Sequence, residues 1–275
     1  MKPLKIYFLS SEIFPFSNTY SLSKFSRDFS TYIHENKSVD IRLCQPKYGY
    51  ISERKYILRE VIRLRDMEID FAGKQHVTNL KSAFIPETRV QVYFMEHADY
   101  FADVPELLYK SRNGRLFQNN HEKFLFYISS TFETMKKLFW VPDFIICNDW
   151  QTVILSQIIK EKYKDNDLFK NIKIISFIHS YNDNYLYSNS LFEKMGISYN
   201  KKEKKQNALN VMREYSDLNY IFDDGKLETK IKKTSIGKSL ISSKKTTIFE
   251  SCDNLKISEK IDMYDKIIDD LKSIS

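Results

Sequence analysis

Pro142-Asp143-Phe144-Ile145-Ile146-Cys147-Asn148-Asp149-Trp150-Gln151-Thr152 decides how the rest of the chain is read. Phe144 to Cys147 is apolar throughout, as suits a strand buried on both faces. Asn148-Asp149 forms a polar corner at its carboxyl end. Ile154, Leu155, Ile158 and Ile159 follow with apolar spacings of three and four, the stripe of an amphipathic helix. Strand, polar turn and helix together make the repeating unit of a parallel α/β sheet. In open sheets of this kind ligands meet the carboxyl ends of the strands. Asp149 therefore stands where a ligand is expected.

Upstream, Lys5 to Ser10 reads as a first buried strand and Ser11 to Thr19 as a loop. Ser21 to Asn36 reads as a helix with Leu22, Phe25, Phe29, Tyr32 and Ile33 on one stripe, and Asp40 to Gln45 as a second strand. Tyr56 to Phe71 and His76 to Ile85 alternate apolar and polar residues around Gly73-Lys74, which predicts an antiparallel hairpin beside the main sheet. Arg89 to Met95 is a further buried strand. His97 to Tyr109 reads as a loop with short helical pieces, and Asn119 to Phe139 as a long helix stopped before Pro142. Downstream, Ile172 to Ile178 is another buried strand, ending at His179. Ser180 to Asn189 has a loop composition. Leu191 to Met195, Ala208 to Tyr215, Lys226 to Lys233 and Ser258 to Leu271 read as helices. Lys201 to Lys205 reads as a solvated link, and Leu218 to Phe222 as a short strand. The expected architecture is a doubly wound, mostly parallel α/β domain over residues 1–275, with a hairpin insertion and a more divergent part over 181–275.

The bulk numbers fit a folded domain. The 275 residues are 42% hydrophobic and 15% aromatic, with 20 Phe and 18 Tyr, ample for a core. No apolar run is long enough for a bilayer, and Met1 to Ile6 carries no signal core, so no membrane partner is expected. Cys44, Cys147 and Cys252 are an odd, scattered set, which predicts reduced thiols and a cytoplasmic setting. The net charge of +7 comes from Lys far more than Arg, 33 to 10. Phosphate recognition favours the Arg fork, and no recognition motif is present, so nucleic acid is not an expected partner.

Several chemistries lack their residues. None of the six glycines sits in a dinucleotide-binding or P-loop spacing. The five histidines fall in five separate stretches, so no metal is expected. There is no Gly-x-Ser-x-Gly elbow for a serine hydrolase. Cys147, at the end of a buried strand, reads as a small packing residue. Asp149 and His179 remain, each after a central strand and on the same sheet edge. Position alone leaves two readings open: a ligand-facing pair, or a helix cap and a satisfied core histidine.

Six motifs in order then carry a resemblance over roughly residues 4–180. Ser10-Ser11-Glu12-Ile13-Phe14-Pro15-Phe16 is similar to the opening of bacterial glycogen synthases and plant starch synthases. Gln45-Pro46-Lys47-Tyr48-Gly49, Val92-Tyr93-Phe94 with Tyr100-Phe101, and Asn119-Asn120-His121-Glu122-Lys123-Phe124 resemble later family segments. Trp140 to Thr152 and Ser176-Phe177-Ile178-His179 complete the set. The resemblance implies the first half of a GT-B fold, in which two Rossmann-like domains face each other across a cleft. It implies glucosyl transfer from ADP-glucose to an α-1,4-glucan without metal or other cofactor. Asp149 and His179 are implied as the catalytic pair at the transferred glucose.

One family segment is altered. The loop K-x-G-G-L-x-D, which serves the donor diphosphate, corresponds to Asn18-Thr19-Tyr20-Ser21-Leu22-Ser23-Lys24. Asn18 replaces the lysine, Tyr20 and Ser21 the glycines, and Lys24 the aspartate. Diphosphate binding needs charge and close backbone approach, so this chain is expected not to bind ADP-glucose by itself. Two readings follow. One is a transferase that depends on a second chain for its donor domain. The other is a non-catalytic glucan-binding or regulatory protein derived from the family. Tyr20 is expected to fold over the hollow left by the glycines, and Lys24 to point to solvent.

Overall fold

The computed structural model describes residues 3–37, 39–104 and 107–275. The reading of Met1-Lys2, and part of the His97 to Tyr109 reading, lie outside these residues. The first two strands are β1 (Leu4–Leu9) and β2 (Val39–Pro46), joined by the helix Ser21–Asn36. β3 (Arg59–Glu60), β4 (Met67–Phe71) and β5 (Lys74–Phe84) form the antiparallel insertion. β6 (Gln91–Glu96), β7 (Phe144–Asn148) and β8 (Lys173–Ile178) follow. β9 (Leu186–Ser188) and β10 (Lys205–Asn207) pair with each other apart from the main sheet. β11 (Leu218–Asp223) and β12 (Thr246–Glu250) complete it.

The main sheet runs β12-β11-β8-β7-β1-β2-β6-β5-β3, with β4 on β5. β12 through β6 are all parallel. From β1 the order runs one way through β2 and the other way through β7. That reversal makes the β1/β7 border the topological switch point, where α/β sheets open a crevice. β11 and β12 extend this same sheet, so residues beyond 181 build on it.

Both faces are covered. Phe8 on β1 meets Phe29 at 6.1 Å, and Phe25 stacks on Phe29 at 5.4 Å. Phe177 and Tyr264 close the same cluster, the latter from the helix Ile257–Ile274. Tyr7 points to the opposite face, as strand alternation requires, and meets Trp140 edge-on at 5.8 Å. On that side the helix Asn120–Leu138 is pinned by Tyr127, whose hydroxyl donates to Cys44 O at 2.5 Å. Among the described residues no helix is long and apolar enough to cross a membrane.

Three sequence expectations need correction. Tyr56 to Phe71 is not one hairpin arm: a short helix ends at Tyr56, β3 is two residues long, and Ile62–Leu64 is a 3-10 turn. The chain turns at Asp66, which has φ 46°, and its N–H donates to Asn79 Oδ1 at 2.7 Å. Strand pairing therefore restarts only at Met67. The loop Ser180 to Asn189 contains β9, and the link Lys201 to Lys205 ends in β10. These short, largely polar strands have little apolar alternation. Their register is held instead by Gln206, whose amide donates to Asn189 Oδ1 at 2.8 Å. β12 and the helix Ser235–Ile241 are additional elements.

Candidate active site at the strand ends

Asp149 begins the helical turn Asp149–Thr152 directly after β7, with φ 56°. The left-handed conformation disfavours most side chains but is visited by Asp. It lets the chain turn out of the strand and sends the carboxylate across the end of β8. Asn148 fixes the corner by donating from Nδ2 to Leu9 O at 2.8 Å, which ties β7 to β1 at the switch point.

The Asp149 carboxylate is fully buried and accepts four hydrogen bonds. Oδ1 takes the backbone N–H of His179 at 2.6 Å and of Ser180 at 3.1 Å. Oδ2 takes the hydroxyls of Tyr20 at 2.7 Å and Ser180 at 2.8 Å. A carboxylate offers about four lone-pair positions, so its accepting capacity is used internally. Burial pushes its pKa up to about 6, and the hydrogen bonds hold it from rising further.

His179 follows β8 and is joined to Asp149 through its backbone. Its ring stacks on Phe222 at 4.5 Å and 9°, and lies 4.6 Å from Phe25. Nε2 is buried without a partner, and burial pushes the imidazole down to about 3. The two candidate residues thus occupy neighbouring strand ends. The carboxylate closes the edge, however, while the ring packs into the aromatic cluster.

The altered loop lies on top of this edge. Tyr20 is half-buried and precedes the helix Ser21–Asn36 in an extended conformation. Its ring meets Tyr109 edge-on at 6.1 Å, and Gln151 Nε2 donates to its hydroxyl at 3.3 Å. Asn18 is exposed and lines a separate hollow of about 330 Å³ with Tyr50, Lys55 and Tyr56. Ser21 is the first helical residue, and Lys24 is exposed.

Glu12 and Tyr109 belong to this site and escaped the sequence reading. Glu12 is fully buried and accepts from Thr19 N, from Thr19 Oγ1 at 2.5 Å and from Tyr109 Oη at 2.7 Å. These bonds clamp the loop between β1 and Tyr20. Burial raises the Glu12 pKa, with the Asp149 charge adding to it. The available signal for Glu12 was a carboxylate three residues past a buried strand. Tyr109 had none, because its partner lies 97 positions away. Among the described residues no group of three or more His, Cys, Asp or Glu forms a metal site.

The chain matches the profile of the starch synthase catalytic domain over residues 5–222. It belongs to the starch synthase catalytic domain family. The glycogen synthase of Chlorobium luteolum is 32% identical over 199 residues, covering 70% of this chain and 39% of its own length. That of Pelodictyon phaeoclathratiforme is 32% identical over 176 residues, covering 64% and 36%. This starch synthase family chain thus spans well under half the length of these relatives. Its fold is similar to the catalytic domain of starch synthase IV from Arabidopsis thaliana bound to ADP and acarbose. The TM-score is 0.72 at 15% identity, over 90% of this chain and 52% of the other. The shared architecture is that of a GT-B glycosyltransferase.

Proposed function

We propose that this starch/glycogen-synthase-like domain serves the α-1,4-glucan side of glucosyl transfer and does not by itself bind or turn over ADP-glucose. The observation that carries this is the Tyr20 hydroxyl on Asp149 Oδ2, at 2.7 Å. It puts a phenol where an anionic donor needs open backbone. The charges point the same way. A diphosphate would enter beside two buried carboxylates, Glu12 and Asp149, whose described hydrogen-bond donors are uncharged. Lys24 is exposed. Stabilising an anion there takes a cation or free N–H groups, and the Thr19 N–H is already committed to Glu12.

Calorimetric titration of the chain with ADP and ADP-glucose, with a glucosyl-transfer assay on glycogen, tests the proposal. No binding should appear at millimolar ligand, weaker than about −4 kcal/mol, and no transfer. Retention on a glycogen-containing native gel should persist. Micromolar ADP affinity, or transfer on the order of 1 s⁻¹, would show an ordinary transferase. That second reading draws on Asp149 and His179 standing on neighbouring strand ends.

A further inference from the structure

The two edges of the main sheet are finished differently. At one edge lie β3, only two residues long with Arg59 and Glu60 both exposed, and β4, whose Glu68 and Asp70 are exposed. Short strands and outward charges are how sheets keep a second chain from pairing there. At the other edge lies β12, five residues long. Its Thr246-Thr247-Ile248-Phe249 run carries no charge, proline or glycine and consists of strand-forming residues. All four are half-buried, and among the described residues no strand pairs with the outer side of β12.

The backbone on that side is open to pairing. Lys245 O accepts from Asn219 N at 2.8 Å, and Ser251 N donates to Asp223 O at 2.8 Å, so the odd-numbered residues of β12 bond towards β11. Alternation turns the N–H groups of Ile248 and Glu250 and the C=O groups of Thr246 and Ile248 outward. The Thr246 N–H is already given to Ser243 O at 3.0 Å.

Charge names the occupant. Lys244 and Lys245 precede β12, Glu250 ends it and Asp253 follows. All four are exposed, with no ion pair among the described residues. A strand that is positive before its start and negative at its end complements itself when turned about a two-fold axis. Set parallel to itself, it would place like charges together. We propose that this chain forms a two-fold dimer in which β12 of one copy pairs antiparallel with β12 of another, continuing the sheet through both. Ile248 faces Ile248 on the axis, and Thr246 of one copy lies opposite Glu250 of the other. Lys244 of one copy then lies diagonal to Glu250 of the other on the same face, within reach of long side chains. Phe249, stacked over Tyr220 at 6.0 Å, packs against Thr247 of the other copy on the opposite face. One short strand is a small interface, so the dimer is a weak, micromolar one. It stands whether or not ADP binds at the Tyr20 loop.

Sedimentation of the full chain across micromolar concentrations tests this. A monomer–dimer equilibrium should appear and weaken with added salt. Glu250→Lys, a change on an exposed side chain, should weaken the dimer about tenfold, a gap of about 1.4 kcal/mol. Adding Lys244→Glu should restore it, with the circular dichroism of both variants matching the parent. Ile248→Cys should cross-link to itself on mild oxidation, because facing Cα atoms in such a pair lie about 5.5 Å apart and the native thiols are buried. The proposal is overturned if the chain stays monomeric throughout, as it would if this edge served another partner. It is also overturned if Glu250→Lys leaves the dimer unchanged, if the charge swap fails to restore it, or if oxidised Ile248→Cys forms no covalent dimer, which would put the interface elsewhere.

Discussion

The Tyr20 hydroxyl donates to Asp149 Oδ2 at 2.7 Å, joining the start of the first helix to the end of β7 across 129 positions of sequence. The same hydroxyl accepts from Gln151 Nε2 at 3.3 Å. Removing it with Tyr20→Phe leaves the buried carboxylate one donor short. A buried group left unmade costs about 1–3 kcal/mol, so the unfolding free energy from a urea titration should drop by that amount and the midpoint should fall with it. An unchanged midpoint would mean that the bond does not hold the loop.

Asp149 and His179 should pull the pH profile of stability in opposite directions. The Asp149 carboxyl, raised from 3.8 to about 6 by burial, contributes stability that is complete below 3.8 and lost as the pH rises through about 6. The His179 imidazole, lowered from 6.5 to about 3 by burial, contributes stability that is complete above 6.5 and lost as the pH falls towards 3. Asp149→Asn should remove a loss of up to about 3 kcal/mol between roughly pH 4 and 6. His179→Phe, which keeps a ring against Phe222, should flatten the acid side. Urea midpoints measured across that range decide; parallel profiles for parent and both variants would refute the assignment.

The triple change Asn18→Lys, Tyr20→Gly and Ser21→Gly should reopen the first strand–helix turn. The glycines cost about 0.5–1 kcal/mol each, beyond the lost phenol bond. ADP affinity should rise from undetectable to measurable by calorimetry. A folded triple variant that still ignores ADP would show that Tyr20 is not what closes the site.

Gly49→Ala should destabilise the chain by about 1–3 kcal/mol. A Cβ there would lie 1.8 Å from Ala102 O, and the Gly49 N–H donates to Phe101 O at 2.9 Å. The two backbones cannot separate without breaking that bond. A thermal midpoint within a degree of the parent would contradict this close approach.

The three thiols should resist alkylation in the native protein at mildly alkaline pH and react fully in urea. All are buried. Burial pushes Cys44 up to about 12 and Cys252 up to about 11, and Cys147 higher still. Mass spectrometry after a short iodoacetamide pulse reads this directly; rapid native labelling of Cys147 would contradict its role as a buried packing residue.

The strand–helix–strand order was legible because burial repeats locally. Phe144 to Cys147 declares a two-sided strand, and Leu22, Phe25, Phe29 and Ile33 declare a helix face, from spacing alone. The helix Ala208–Tyr215 was bounded from sequence because its apolar stripe ends where the helix does. β9 and β10 were not legible, because a polar ribbon is held by pairing and by one buried glutamine rather than by apolar alternation. β12 is a half-buried edge strand whose partner, β11, defines it. At the site, sequence could place Asp149 and His179 on one edge of the sheet, since each follows a buried strand. Only the tertiary structure decided where their side chains go. The Asp149 carboxylate is spent on Tyr20, His179 N–H and Ser180, and the His179 ring is committed to Phe25 and Phe222. Those partners lie 30 to 154 positions away from the groups they meet. Local periodicity carries no information at such separations; packing does.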